Sequence, residues 1–344
     1  MIYFQTRYGE IYDCVDFYKQ LAFDHPLLKN HSFHSQVHSF SVPKMMANDG
    51  SSSNSIKIGL KRGCPTGTVP IRRTTKEDLI RAKLHAEKYG SKLSSNLAKV
   101  QPAVVRTISD PNQKYDGAFS TISIYNPGLV HDHQYSSGQM TVKNGPDQIQ
   151  VGWTVNPTLY GDNNTRLLTF WQASQTSCFN TRCPGFIIVN SKIPLGAIIV
   201  PVSKQGSGPK YGVNFRVWRD PKNGNWWHFL GPDWRTPIGF WPKRLFSGLA
   251  GRANYIDWGG EVLNLPGMRG PQMGSGIYPD VIENSKYVAF SFNMGITVED
   301  DIQLDARGIE TFSDDAAHYR VSDKGFFDGR FRHLAFWGGT DLVA

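Results

Sequence analysis

The sequence predicts an all-β protein: an antiparallel β-sandwich of two packed sheets, preceded by a small mixed N-terminal region. Three observations carry that expectation. Aromatic residues make up 12% of the chain, with nine tryptophans and 34 glycines, a composition suited to strands joined by tight turns. From about residue 100 onward, runs rich in Val, Ile, Phe and Trp recur between Gly, Pro, Asn and Asp. These runs are AFSTISIYNP, QIQVGWTVNP, RLLTFWQA, GFIIVN, AIIVPVS, YGVNFRVWRD, NWWHFL and YVAFSFN, each the length of a sandwich strand. Third, helical periodicity is scarce in this part: PKRLFSGLAGRANYI is the one segment with a plausible helical period.

The chain of 344 residues, 40% hydrophobic and 19% charged, suits one large globular domain with an appendage. The texture change divides it into residues 1–90 and 91–344. A net charge of +8 without an arginine-rich helix, zinc-finger spacing or RNP-like motif reads as a solvated basic surface, not a nucleic-acid interface. No apolar run approaches the roughly 18 residues a membrane helix needs. The first residues, MIYFQTRYGEIYD, lack the basic start and apolar core of a secretory signal, which fits a cytosolic protein or a trimmed secreted precursor.

The four cysteines favour the secreted alternative. Cys178 and Cys183 bracket the short polar loop CFNTRC, the spacing of a small-loop disulfide, and no His-plus-Cys pattern points to zinc. His131 and His133 in HDHQY have a spacing able to hold a metal, but no third ligand accompanies them and a polar loop is the expectation. No metal is therefore expected. Asn30 and Asn163 head two glycosylation sequons, the second in the turn-like segment YGDNNTR.

Residues 1–90 contain little core-forming sequence and are expected to pack on the larger domain. DCVDFYKQLAFDHPLLKNH mixes polar and apolar residues, and HSQVHSFSVPKMMANDGSSSNSIK has the Ser, Asn and Gly content of a loop. TTKED marks a helix start, with Thr74 or Thr75 as N-cap, Leu79, Ile80 and Leu84 on one face, and Tyr89-Gly90 as its close. Cys14 and Cys64 are candidates to tie the two ends of this region together.

The segment DWGGEVL raises a functional question, because burying an unpaired carboxylate costs several kcal/mol, or about 3–5 pKa units in the extreme. Strand alternation puts Glu261 on a face with Gly259 and Leu263, and Trp258 and Val262 on the other. In QIQVGWTV, Gln150 shares a face with Gly152 and Thr154, opposite Ile149, Val151, Trp153 and Val155. Each strand thus presents one polar residue beside a glycine, where another backbone can approach closely. Placed side by side, the two strands would floor a groove for an extended peptide or glycan. The plainer alternative is polar residues on the solvent face of a sandwich.

Six segments in this order, GWTVNPTLYGDNNTRLLTFW, TSCFNTRCPGFIIVNSKIPLGA, WRDPKNGNWW, GFWPKRLF, WGGEV and QMGSG, resemble the neprosin family of secreted plant glutamic peptidases. DCVDFYKQLAFDHPLLKNH and CPTGTVPIRRTTKEDL resemble that family's activation peptide, which is removed on maturation. The resemblance covers nearly the whole chain. It implies a β-sandwich with its site in a groove on one concave face. It also implies cleavage on the carboxyl side of proline at acidic pH without metal or cofactor, with residues 1–90 covering the groove as an intramolecular inhibitor. Secretion, a monomeric state and proline-containing peptides or proteins as partners follow from it.

The family's chemistry uses two glutamates, one from each of two strands. One holds a proton while the other deprotonates water. The second maps onto Glu261; the place of the first holds Gln150. A related fungal branch of glutamic peptidases works with a Gln–Glu pair, and the Gln150 amide has the donor needed for a developing oxyanion. The competing reading is an inactive paralogue serving as an extracellular binding protein. Trp153, Tyr160 and Gln272 fall in family motifs and are expected near substrate. Trp226, Trp227 and Trp241 are candidates for an aromatic groove or for core. Asp162 and Asp257 occupy turn-prone contexts, where Asp commonly caps backbone. A carbohydrate-active sandwich would need a second carboxylate within about 5–10 Å of Glu261. The family's usual C-terminal cysteine before a tyrosine is replaced by His318, and its partner near the chain end is also missing, a crosslink worth about 2–4 kcal/mol.

Overall fold

Alternation of large apolar residues with small or polar ones builds two antiparallel sheets whose apolar faces meet. The computed structural model describes residues 2–29, 56–81, 99–174, 176–206, 208–280, 286–327, 329 and 331–340. One sheet has seven strands in the order Thr176–Phe179, Arg166–Ala173, Asp147–Val155, Tyr135–Asn144, Tyr255–Asn264, Lys99–Thr107 and Ile309–Ser313. The second has nine. Ile187–Ile188, Thr236–Trp241, Trp226–Leu230, Gly212–Arg219, Gly117–Ser123, Ala289–Thr297, His333–Gly339 and Tyr319–Phe326 run in order, and Gln303–Asp305 pairs beside Ala289–Thr297. This is the predicted sandwich.

Between the sheets, Ala103, Val105, Met140, Val142, Ile149, Val151, Trp153, Ile256, Trp258 and Val262 of the first meet Ile122, Phe215, Val217, Trp226 and Trp337 of the second. Trp153 Nε1 donates to the Ser123 carbonyl at 2.9 Å, and its ring lies 6.3 Å from that of Trp337, so one side chain links both sheets. Trp226, Trp227 and Trp241 are buried as well, so none of these four tryptophans lines an open aromatic groove.

Two sequence expectations fail for physical reasons. PKRLFSGLAGRANYI does not form a helix. It makes a short 3-10 turn, Lys243–Leu245, then a loop entering the Tyr255–Asn264 strand; its glycines disfavour helix, and Leu245, Phe246 and Leu249 bury individually in the core. The Tyr135–Asn144 strand, YSSGQMTVKN, went unrecognised because Ser and Gly replace bulky residues along half of it. It occupies the middle of the sheet and separates the Gln150 and Glu261 strands, which are therefore not neighbours.

The N-terminal region packs on the sandwich as expected. Tyr3–Gln5, Ile11–Asp16 and Thr68–Arg72 form a three-stranded sheet, and Cys14 is bonded to Cys64. Lys57–Ile58 pairs with Ile199–Val200 of the large domain. Gln20 donates to the Ile188 carbonyl at 3.2 Å and accepts from its N–H at 2.8 Å, while Phe17, Leu28 and Val69 join the main core. Thr75 caps the helix at 76–81 reciprocally with Asp78, Thr75 N–H to the carboxylate at 3.0 Å and Asp78 N–H to the hydroxyl at 3.1 Å. Asp78, not Leu79 or Ile80, is the buried residue of this turn: ion pairs hold it inward and leave those two exposed. Leu84, Tyr89, Gly90 and the boundary near residue 90 lie outside the described residues, as does Asn30.

Cys178 is bonded to Cys183, as the spacing predicts. At the C-terminal side, His318 Nδ1 lies 3.0 Å from Asp315, and the buried Tyr319 hydroxyl donates to the Pro271 carbonyl at 2.9 Å. No helix among the described residues is long and apolar enough to cross a membrane.

His228 sits fully buried against the Phe215 ring, 6.2 Å away, with neither ring nitrogen hydrogen-bonded. Burial pushes its pKa down from 6.5 to about 3, so the folded protein holds it neutral while the unfolded chain protonates it below pH 6.5. Stability therefore falls from pH 6.5 towards 3, at about 1.4 kcal/mol per pH unit. His228→Leu is expected to narrow the gap in urea stability between pH 7 and pH 4 by about 3 kcal/mol. An unchanged gap would mean His228 is not held neutral.

Candidate active site

Three adjacent strands turn a polar face away from the core. Tyr135, Ser137, Gln139 and Thr141 come from the middle strand, Asp257, Gly259 and Glu261 from one neighbour, and Gln150, Gly152 and Thr154 from the other. The register makes cross-strand rows: Gln150, Thr141, Asp257; then Gly152, Gln139, Gly259; then Thr154, Ser137, Glu261. Gln139 thus stands between two glycines, and the space those glycines leave lets Gln150 and Glu261 reach toward it diagonally from opposite sides.

The result is a connected network. Glu261 Oε1 accepts the Tyr135 hydroxyl at 2.6 Å, and Oε2 accepts Gln139 Nε2 at 3.1 Å. Gln150 Nε2 donates to Gln139 Oε1, and its distance to Glu261 Oε1 is 3.5 Å. Gln139 therefore fixes both ends, accepting from one partner and donating to the other. Pro102 stands opposite Glu261 on its other flank. Burial raises the Glu261 pKa above the usual glutamate range, against the lowering effect of the Tyr135 and Gln139 hydrogen bonds. A half-buried carboxyl so held is shifted toward keeping its proton, a perturbation that marks it as a candidate functional group.

The glycines are required by backbone crowding. A side-chain carbon at Gly259 (φ +153°) would collide with the Ala103 carbonyl oxygen of the adjoining strand, and one at Gly152 (φ +158°) with that of Gly138.

The other candidates separate clearly. Trp153 is in the core on the opposite face, because strand alternation puts it there, and does not reach the polar face. Tyr160 is buried, accepts from Asn180 Nδ2 at 2.5 Å and has the Arg166 and Arg182 guanidiniums 4.7 and 5.8 Å from its ring. Gln272 binds the Gly128 loop, accepting from its N–H at 2.6 Å; it has no recorded contact with Glu261. Asp162 caps the Asn164 N–H at 2.9 Å, as its context predicts, and also pairs with Arg166. Asp257 is no turn residue: it is buried within the strand and burial raises its pKa, with Lys143 at 3.9 Å. It shares the Glu261 face four residues along the strand, about 13 Å between Cα atoms, and its charge adds to the rise of the Glu261 pKa. Among the described residues no cluster of three or more His, Cys, Asp or Glu side chains is placed to hold a metal ion. Asn163 is exposed on its turn.

Tyr135 and Gln139 were not singled out from sequence. The signal was present in the alternation of YSSGQMTV, whose odd-numbered residues are polar and whose even-numbered ones grow apolar.

A family model described as Neprosin matches residues 132–340, more than half of the chain. The chain belongs to the neprosin family. A second model, Neprosin activation peptide, matches residues 3–118. An intramolecular activation region thus precedes the neprosin domain, in line with the docked N-terminal sheet. The activation-peptide match continues through Lys99–Thr107, a strand that sits inside the sandwich beside Glu261. Both disulfides lie within one side or the other, Cys14–Cys64 in the N-terminal region and Cys178–Cys183 in the sandwich.

Proposed function

We propose that the protein is a secreted zymogen of a glutamic-type endopeptidase, cleaving on the carboxyl side of proline with Glu261 as base and Gln150 as oxyanion donor. The observation that carries this is the Gln150–Gln139–Glu261–Tyr135 network, which holds one carboxylate with a raised pKa beside an oriented amide on an otherwise small-residue face. Glu261 takes a proton from water as the water oxygen bonds to the prolyl carbonyl carbon. The carbonyl oxygen becomes an oxyanion and accepts a Gln150 N–H. One amide hydrogen of Gln150 is engaged by Gln139 while the second turns to the oxyanion, a bond worth about 2.7–4 kcal/mol at the transition state. Protonated Glu261 then passes its proton to the departing amine nitrogen as the C–N bond breaks, leaving a prolyl carboxyl product and a free amine.

Mass-spectrometric mapping of cuts made by acid-treated protein in an unfolded, proline-containing substrate tests this. Cuts after proline are the expected result; cuts without regard to proline contradict the specificity. A second reading, a peptide-binding protein without turnover, is favoured by Gln150 standing where the family has its other carboxylate. It predicts binding of the same substrate and no cuts.

Acid is expected to loosen the N-terminal region. Arg72 bridges Glu10 at 3.0 Å and Asp78 at 3.2 Å, and Arg81 adds a second cation to Asp78. Burial alone would raise Asp78, but hydrogen bonds from Thr75 and Arg81 and the charge of Arg72 hold it below 3.8; Arg166 does the same for Asp162. Asp78 with Arg72 and Arg81 thus steadies the fold of the activation region itself above pH 3.8, and that contribution is lost as pH falls through the lowered Asp78 value. Across the boundary, Glu10 bonds to Arg166 at 2.7 Å. Limited proteolysis should cut the chain between residues 81 and 99 much faster at pH 3 than at pH 6, and Asp78→Asn should speed cutting at pH 6. Equal rates at both pH values would show that these ion pairs do not hold the region. A cut there would release the Cys14–Cys64 sheet and spare the Lys99–Thr107 strand.

A further inference from the structure

Arg166 stands in the same cross-strand row as Glu261: Glu261 faces Ser137, Ser137 faces Thr154 and Thr154 faces Arg166. Three strand spacings put about 14 Å between the ends of that row. The guanidinium is held from below and behind. Nη2 donates to Asp162 at 2.5 Å, Nε to the same carboxylate at 3.3 Å and Nη1 to the Gly196 carbonyl at 2.9 Å, with the Tyr160 ring 4.7 Å away. One further partner comes from the activation region: the Glu10 carboxylate, 2.7 Å from Nη1. Arg182 lies across Tyr160, 5.8 Å from its ring, and donates to the Leu159 carbonyl.

Charge is unevenly shared between the two sides. The sandwich contributes Arg166 and Arg182 against one carboxylate, Asp162. The activation region contributes Glu10 and Asp78 with Arg72 and Arg81, a balanced set, and with it in place the Arg166 side chain is 1% exposed. Its departure removes Glu10 from a guanidinium that every other contact keeps in place, leaving two cations to one anion.

We infer that Arg166 forms a carboxylate-binding subsite, filled by Glu10 in the full-length chain and by an acidic side chain of a bound peptide after the activation region has left. This rests on the proposed peptide-cleaving face. Arg166 is a substrate-positioning residue there, since it is three strands from the reacting atoms. An extended peptide advances about 3.3 Å per residue, so a chain crossing the strands from Glu261 reaches Arg166 about four residues from the scissile bond.

The test compares pairs of quenched proline peptides, Glu against Gln at each of five positions on either side of the bond, with acid-treated full-length protein at pH 5.5. Glu is expected to be favoured about tenfold at a position near the fourth and nowhere else. At pH 3 the peptide carboxyl is protonated and uncharged, so the preference is expected to vanish in the wild type, a control that needs no variant. Arg166→Gln should bring the Glu-to-Gln ratio to about one and Arg166→Lys should keep part of it. Equal cleavage at every position, or a preference that survives at pH 3 or in Arg166→Gln, overturns the subsite. Fluorescence anisotropy of the same peptides on Glu261→Gln protein reads the preference without turnover. Preferential binding with no cleavage by wild type would therefore count against the peptidase reading alone and uphold the subsite.

Discussion

Glu261→Gln is expected to lower kcat/KM for a proline peptide by about 10³-fold or more, since it removes the carboxylate in hydrogen-bond contact with the Gln139 and Gln150 amides. The substitution preserves shape and keeps an oxygen for Tyr135 to donate to, so the fold should survive it. The sign of the stability change is a second check. A carboxyl whose folded pKa is raised favours the folded state below its unfolded value and costs stability as pH rises through the folded value. Replacing it with a neutral amide should therefore leave Tm at pH 7 equal or higher. Lost activity with a lowered Tm at pH 7 would point to unfolding instead of chemistry.

Gly259→Ala is expected to be a severely damaging small change on the same face. At φ +153° a side chain is strained, and its Cβ collides with the Ala103 carbonyl of a strand that cannot withdraw without breaking its pairing. Strain and crowding together should cost about 2–5 kcal/mol in urea unfolding. Whatever variant folds should have lost most of its kcat, because Glu261 sits two residues along and moves with the backbone. Gly267→Ala is the control for loss of a glycine as such: it has a positive φ but nothing within 4 Å of the added carbon. Equal stability losses in the two would show that backbone strain, not close strand approach, explains the glycine.

The architecture was legible because its strands carry Val, Ile, Phe and Trp in short, punctuated runs. Parity alone put Glu261 with Gly259 and Gln150 with Gly152 on polar faces, and the register agrees. What stayed hidden was the strand between them. Tyr135–Asn144 buries its residues through Ser and Gly, which read as loop until a bulky neighbour such as Trp153 fills the space above Gly138. Trp153 and Tyr160 sat in the right motifs but serve packing, and only burial distinguishes that from substrate contact. The Glu10–Arg166 pair, 156 residues apart in sequence, had no local signature.

The most direct measurement of the central claim is the pH profile of kcat/KM for a quenched proline peptide, taken with acid-treated wild type and Gln150→Glu in parallel. With a Gln–Glu pair, wild-type activity should fall on the acid side as Glu261 takes up a proton, with no alkaline limb from a second carboxyl. Gln150→Glu should add that limb and turn the profile into a bell, its two apparent pKa values belonging to the pair. A silent wild type, with activity appearing only in Gln150→Glu, would contradict the account and leave an intact fold whose chemistry is switched off.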